Sequence, residues 1–150
     1  MPSSYNTAYQ ETMTLLKAAL DGSADYTEMP VEWPNVEPKR LNEQNQATEN
    51  PLPWIRVQWQ HGVLKQRTIG SSNGLRRYEA KGLLVVSHFH TSGQGVAGTG
   101  AFSTFCYGIF LGESTTSGVV YRPQSPRDVQ KDGLWYRSDA MIEFQYDEIK

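Results

Sequence analysis

Gly93-Gln94-Gly95-Val96-Ala97-Gly98 spells G-x-G-x-x-G and stands between a strand-like and a helix-like segment. In a dinucleotide site such glycines let a pyrophosphate approach the amides that open a helix. Here the motif falls two-thirds along a short chain, with no βαβ series around it. No acidic residue closes a following strand at the required distance, so a permissive loop continued by Gly100 is the better reading. His88-Phe89-His90 sets two imidazoles on one face of a strand. Zinc wants three or four protein ligands. His61 is the other histidine and Cys106 the sole cysteine, and neither has ligand spacing to the pair, so no metal is expected. Cys106 falls on an apolar helical stripe and reads as a buried, inert thiol. A nucleophilic role would need an adjacent base, which only His88 or His90 could supply through the fold. Serine-hydrolase elbows, Walker loops and paired-carboxylate motifs are absent from the sequence, and Asp128, Asp132 and Asp139 read as turn and strand-flank residues. No catalytic residue and no cofactor is therefore expected.

Arg76, Arg77 and Lys81 form a small basic cluster, with Lys65 and Arg67 on the neighbouring candidate strand. The simplest reading is a solvated strand face. The functional one is a patch facing DNA in a channel or an acidic neighbour. The whole chain argues against a general nucleic-acid binder, because its 14 basic residues are outweighed by 16 acidic ones. With 150 residues and 38% hydrophobic content it has the size and composition for one domain with its own core. A single cysteine excludes an intramolecular disulfide and fits a reducing compartment, or a particle assembled in one. The polar N-terminus lacks the apolar run of a signal peptide, and no stretch approaches the about 20 apolar residues of a membrane span. Four tryptophans (Trp33, Trp54, Trp59 and Trp135) are many for this size; most belong to a core, and some anchor interfaces.

The elements that must carry these groups follow from periodicity. Residues 5–20 read as a helix capped by Ser3 or Ser4, with Ala8, Met13 or Thr12, Leu15, Leu16, Ala19 and Leu20 as its apolar side. Gly22 follows where a left-handed residue is often needed. Residues 29–33 make a short strand between prolines. Residues 35–53 are polar, and Leu41, Asn42, Glu43, Gln44, Asn45 and Gln46 lie in a connection unusually long for a compact domain, either disordered or functional, and the first feature that looks outward to a partner. Residues 54–60 and 63–69 alternate as two strands around a His61-Gly62 turn, and Ser71-Ser72-Asn73-Gly74 is a second turn. Residues 76–91 predict a central strand buried on both faces. A loop at 92–100, a helix at 101–111, a turn at 113–117, a short strand at 118–122 and a loop at 123–133 follow. The closing strand at 134–147 sets Ala140, Ile142, Phe144 and Tyr146 on one face and Met141, Glu143 and Gln145 on the other. The order implies an α+β fold: a mostly antiparallel or mixed sheet with two helices packed on one face.

Taken together, several segments resemble the tail terminator (tail completion) proteins of long-tailed bacteriophages. They are the N-terminal helix, Val31-Glu32-Trp33-Pro34-Asn35, Pro53-Trp54-Ile55-Arg56-Val57 and Gly82-Leu83-Leu84-Val85-Val86. The Gly93 to Gly100 loop, the helix after it, Gly133-Leu134-Trp135-Tyr136 and Ile142-Glu143-Phe144-Gln145-Tyr146-Asp147 complete the set, which covers nearly the whole chain. The resemblance implies a non-enzymatic virion protein with a tail-terminator-like fold. Members form a homohexameric ring that caps the tail tube, stops its elongation and offers a surface to the head-completion, stopper or connector protein. DNA passes through the lumen without sequence-specific binding, no membrane is involved, and the location is the head-proximal end of the tail. The 35–53 segment is then an arm or inter-subunit loop, and Arg76, Arg77 and Lys81 a lumen or interface patch. Competing expectations are another head–tail connector or minor tail ring protein, and a small enzyme using Cys106 with His88 or His90.

Overall fold

The computed structural model describes residues 4–27, 29–34, 53–68, 74–91, 95–125, 127–132 and 135–149. Helix α1 (Tyr5–Asp21) starts at Ser4, whose hydroxyl accepts from the Thr7 amide at 3.2 Å and so satisfies one of the orphan donors of the first turn. Its buried stripe is Ala8, Thr12, Leu16 and Leu20, one residue per turn. Thr12, not Met13, takes the inner position because its hydroxyl is satisfied there: it donates to the Ala8 carbonyl at 2.7 Å and meets the Tyr121 hydroxyl at 2.8 Å. Gly22 is not left-handed; at φ −82° it continues the helical geometry and its amide bonds the Ala18 carbonyl at 3.0 Å.

The sheet comprises β1 (Val31–Glu32), β2 (Trp54–Gln66), β3 (Arg77–Thr91), β4 (Val120–Pro123), β5 (Arg127–Asp132) and β6 (Trp135–Ile149) in the order β1-β2-β3-β6-β4, with β5 also paired to β6. β1 runs parallel to β2 and every other pairing is antiparallel, so the sheet is mixed. β3 occupies the whole inner edge of β6, from Arg77 opposite Ile149 to Thr91 opposite Trp135. β4 and β5 therefore share the outer edge of β6 as two pieces.

Three sequence expectations change here. The first concerns His61-Gly62, which is not a turn. β2 is one strand that slips register between His61 and Leu64, a bulge that keeps both halves on the same neighbour, β3. A side chain at Gly62 would sit 2.9 Å from the Lys81 carbonyl oxygen, which is why the bulge carries a glycine. The chain reverses after Arg67, whose amide bonds the Arg77 carbonyl at 2.8 Å, and Gly74 takes φ +74°. The second helix, α2 (Gly95–Phe110), begins inside the expected loop. Its glycines cost about 1 kcal/mol each against alanine, and the packing of the apolar side that follows outweighs that propensity. The expected loop at 123–133 contains β5, whose sequence RDVQKD has no apolar alternation and which pairs with β6 through the hairpin.

Both helices lie on one face of the sheet. Ala8, Leu16 and Leu20 of α1 and Phe102, Cys106 and Phe110 of α2 form one buried cluster with Ile55, Val57, Leu84, Val86, Ala140, Ile142 and Phe144. Gly82 opens a slot in the middle of β3. Phe144 fills it and stacks on Trp59 with centroids 3.7 Å apart and planes 6° from parallel. A Cβ on Gly82 would strike the Phe144 ring and the Gln60 carbonyl. Among the described residues, no helix is long and apolar enough to cross a membrane.

Candidate functional site

Alternation along β3 divides the chemistry-bearing residues between the two faces of the sheet. His88 and His90 face the helices, both buried, with ring centroids 5.8 Å apart. The Phe102 ring of α2 stacks on His88 at 4.8 Å, and Tyr136 stacks on His90 at 5.7 Å. Beside them Ser103 of α2 and Ser138 of β6 share a hydrogen bond of 3.2 Å. Neither ring nitrogen of His88 has a hydrogen-bond partner. Burial first, and the neighbouring His90 second, push its pKa down to about 4, so the ring is neutral near pH 7.

Cys106 is fully buried, and burial pushes its thiol far above the usual range. His88 makes no hydrogen bond to Cys106, so the two side chains do not form a hydrogen-bonded pair in this structure. Among the described residues no three of His, Cys, Asp and Glu converge as metal ligands. Gly93 and Gln94 of the glycine motif lie outside the described residues. β3, which precedes it, has antiparallel neighbours on both sides, unlike the strand of a dinucleotide fold.

The opposite face holds a cluster that the sequence reading missed. Asp139, expected at a strand flank, lies inside β6 and is fully buried. It accepts from the Ser87 hydroxyl at 2.6 Å and from two of the Arg137 guanidinium nitrogens, Nε at 2.8 Å and Nη2 at 3.0 Å. Next to it Trp54 stacks on Phe89 at 4.1 Å and 4°. The Arg56 guanidinium lies over both rings at 5.1 and 5.2 Å, and that of Arg137 lies 5.9 Å from Phe89. Two cations, a carboxylate and two rings thus lock three strands together at one end of the sheet. The available signal was Arg137-x-Asp139, opposite charges on one face of a strand.

Arg76, Arg77 and Lys81 lie toward the other end. Arg76 is exposed just before β3. Arg77 Nε donates to Asp147 at 2.9 Å. Arg67 grips Glu79 with two bonds of 3.1 and 2.9 Å, and Lys81 stands 3.5 Å from the same carboxylate. The bonds from Arg67, then its charge and that of Lys81, hold the Glu79 carboxyl below its ordinary range. The expected basic patch is thus largely a set of cross-strand ion pairs. Leu41, Asn42, Glu43, Gln44, Asn45 and Gln46, with the rest of 35–52, lie outside the described residues.

These strands form an arm. From Gln60 to Thr68 every residue is exposed, and apolar Val63 (65%), Leu64 (42%), Leu75 (50%) and Ile149 (49%) stand open to solvent. The arm is the described surface best suited to contact another protein.

No family model matches the sequence, and no curated protein matches it. Among solved structures, one chain with 10% sequence identity superposes with a TM-score of 0.62, covering 96% of this chain and 96% of its own length. At that identity the likeness establishes the fold alone: this chain is an α+β protein in which, among the described residues, a mixed sheet carries two helices on one side.

Proposed function

We propose that this chain is a ring-forming tail terminator of a long-tailed bacteriophage, which caps the tail tube, stops its growth and presents the surface for head joining. The observation that carries the reading is architectural. The resemblance implies a sheet with two helices on one side, and the segments that bear it (the first helix, β1, the start of β2, the middle of β3, α2 and β6) are the ones that build this frame. The exposed arm supports it further. Its cations are largely engaged with Glu79 and Asp147, while Val63, Leu64 and Leu75 face outward. That surface suits a protein neighbour, and lets DNA pass without being gripped.

The activity on this reading is binding geometry. A heterologous interface repeated about an axis closes a ring. One side of the ring matches the last ring of the tube and blocks further addition. The other side exists only on a finished tail, and six modest contacts engage together. The test is mass in solution by light scattering, with and without purified tail tubes. A species of six times 16.9 kDa, or tubes capped at the head-proximal end, is the expected result. A monomer that ignores tubes overturns the reading, and decoration elsewhere on the tail reassigns the protein to a neighbouring ring.

A further inference from the structure

We propose that His88 is an acid-sensitive latch holding the middle of α2, around Phe102, on the sheet, and that acidification releases this stretch of the helix before the strands separate. The argument starts from geometry. His88 is 5% exposed, carries one donor and one acceptor when neutral, and bonds neither. Its ring is held by stacking, since Phe102 of α2 covers its face. Beside this stack, the Ser103–Ser138 bond also ties α2 to the sheet.

Among the described residues, the register partners of His88 bring no carboxylate to an imidazolium. Across β2 the register partner of His88 is apolar Ile55; across β6 it is Ser138, already engaged with Ser103. On β3 the neighbour is His90, whose electrostatic influence disfavours a charge on His88. On α2, Cys106 is one turn beyond Phe102, and its thiol is neutral. On β5, Asp128 takes the register position opposite Ser138, with that strand between it and His88. A charged His88 would hold two N–H donors in an apolar seam, and its shortest route to water is separation of Phe102 from the sheet.

The sign follows from linkage. The folded-state value near 4 lies below the ordinary value of 6.5, so the unfolded chain takes up the extra proton first as pH falls. The contribution of neutral His88 is present in full above about pH 6.5 and is lost as pH drops toward about 4, approaching tenfold in the opening equilibrium per pH unit.

Amide exchange on the full chain at about pH 7 and about pH 5, corrected for the intrinsic pH dependence, tests this. Expected is a fall in protection over 100–106 of tenfold or more at the lower pH, with β3 and β6 amides unchanged. The fall should be absent in His88→Phe, which keeps the ring, and present in His61→Gln, a change at an exposed histidine. An equal fall in His88→Phe, or a simultaneous loss across helix and sheet, overturns the proposal. If His88→Phe does not fold, the ring titration of wild-type His88 by NMR decides. A midpoint below about 5 that coincides with α2 exchange supports the latch, and one at or above the ordinary value of 6.5 overturns it.

Discussion

The same three strands, β2, β3 and β6, pass through two different surroundings. At the Phe89 end both faces are sealed. Phe102 of α2 lies over His88 on one side, and Arg56 and Arg137 lie over the Trp54–Phe89 stack on the other. At the Arg77 end the strands leave the helices behind and are held by pairing and by ion pairs open to water. The Asp139 carboxylate at the sealed end is fully buried and has no solvent to replace its partners, so it is committed to the fold. A charge on the arm exchanges partner for water at little cost. The difference separates a structural end from an end free to meet other molecules.

Four variants would break or sharpen this contrast. The largest effect is expected for Asp139→Asn, which removes the negative charge facing Arg137 and replaces the oxygen that accepts from its Nη2 with an amide donor. We expect a loss of about 3 kcal/mol in denaturant unfolding, the low end for a buried pair because Arg137 keeps 21% side-chain exposure. An unchanged midpoint would mean that the buried carboxylate holds nothing. Gly82→Ala comes next. It lies where the sealed part ends, and pushes a methyl group into the Phe144 ring and the Gln60 carbonyl. About 2 kcal/mol should be lost, with altered near-ultraviolet dichroism from the Trp59–Phe144 stack. Arg77→Ala, on the arm, should cost under about 1 kcal/mol despite its close bond to Asp147, and that small effect should shrink further in high salt. A loss equal to that of Asp139→Asn would erase the contrast. Last, Val63→Lys with Leu64→Lys should leave the folding midpoint within about 0.5 kcal/mol, since both side chains are exposed. The same pair should lower the mass of any assembly seen by light scattering; full assembly would remove the arm from the proposed ring contact.

Much of the frame was legible because one face of each main strand is buried. Ala140, Ile142, Phe144 and Tyr146 alternate cleanly, and the core uses all four. The unbroken run Leu83 to Val86 announced a central strand, and β3 is central, though Leu83 is only partly buried. What stayed hidden was decided by contacts between distant residues. Gly62 looks like turn chemistry; only the Lys81 backbone beside it makes it a bulge. Asp139 looks like a strand-flank residue until Ser87, 52 positions earlier, is placed beside it. Arg76, Arg77 and Lys81 look like a patch because Asp147 becomes the neighbour of Arg77 only through pairing with β6, and Arg67 meets Glu79 only once β2 and β3 pair. Periodicity reports burial of one element and is silent on which charges will face each other across strands.

The position of β6 also sets an order of events. β2 and β3 are joined by a short connection and can zip as soon as both are made. β3 then waits for a partner whose first residue is more than forty positions further along. Until residues 135–149 have left the ribosome, β3 has an open edge, β4 and β5 have nothing to pair with, and the slot at Gly82 is empty. The sheet therefore closes late, around its last strand, and nascent chains stopped short of it would expose their most apolar strand to one another.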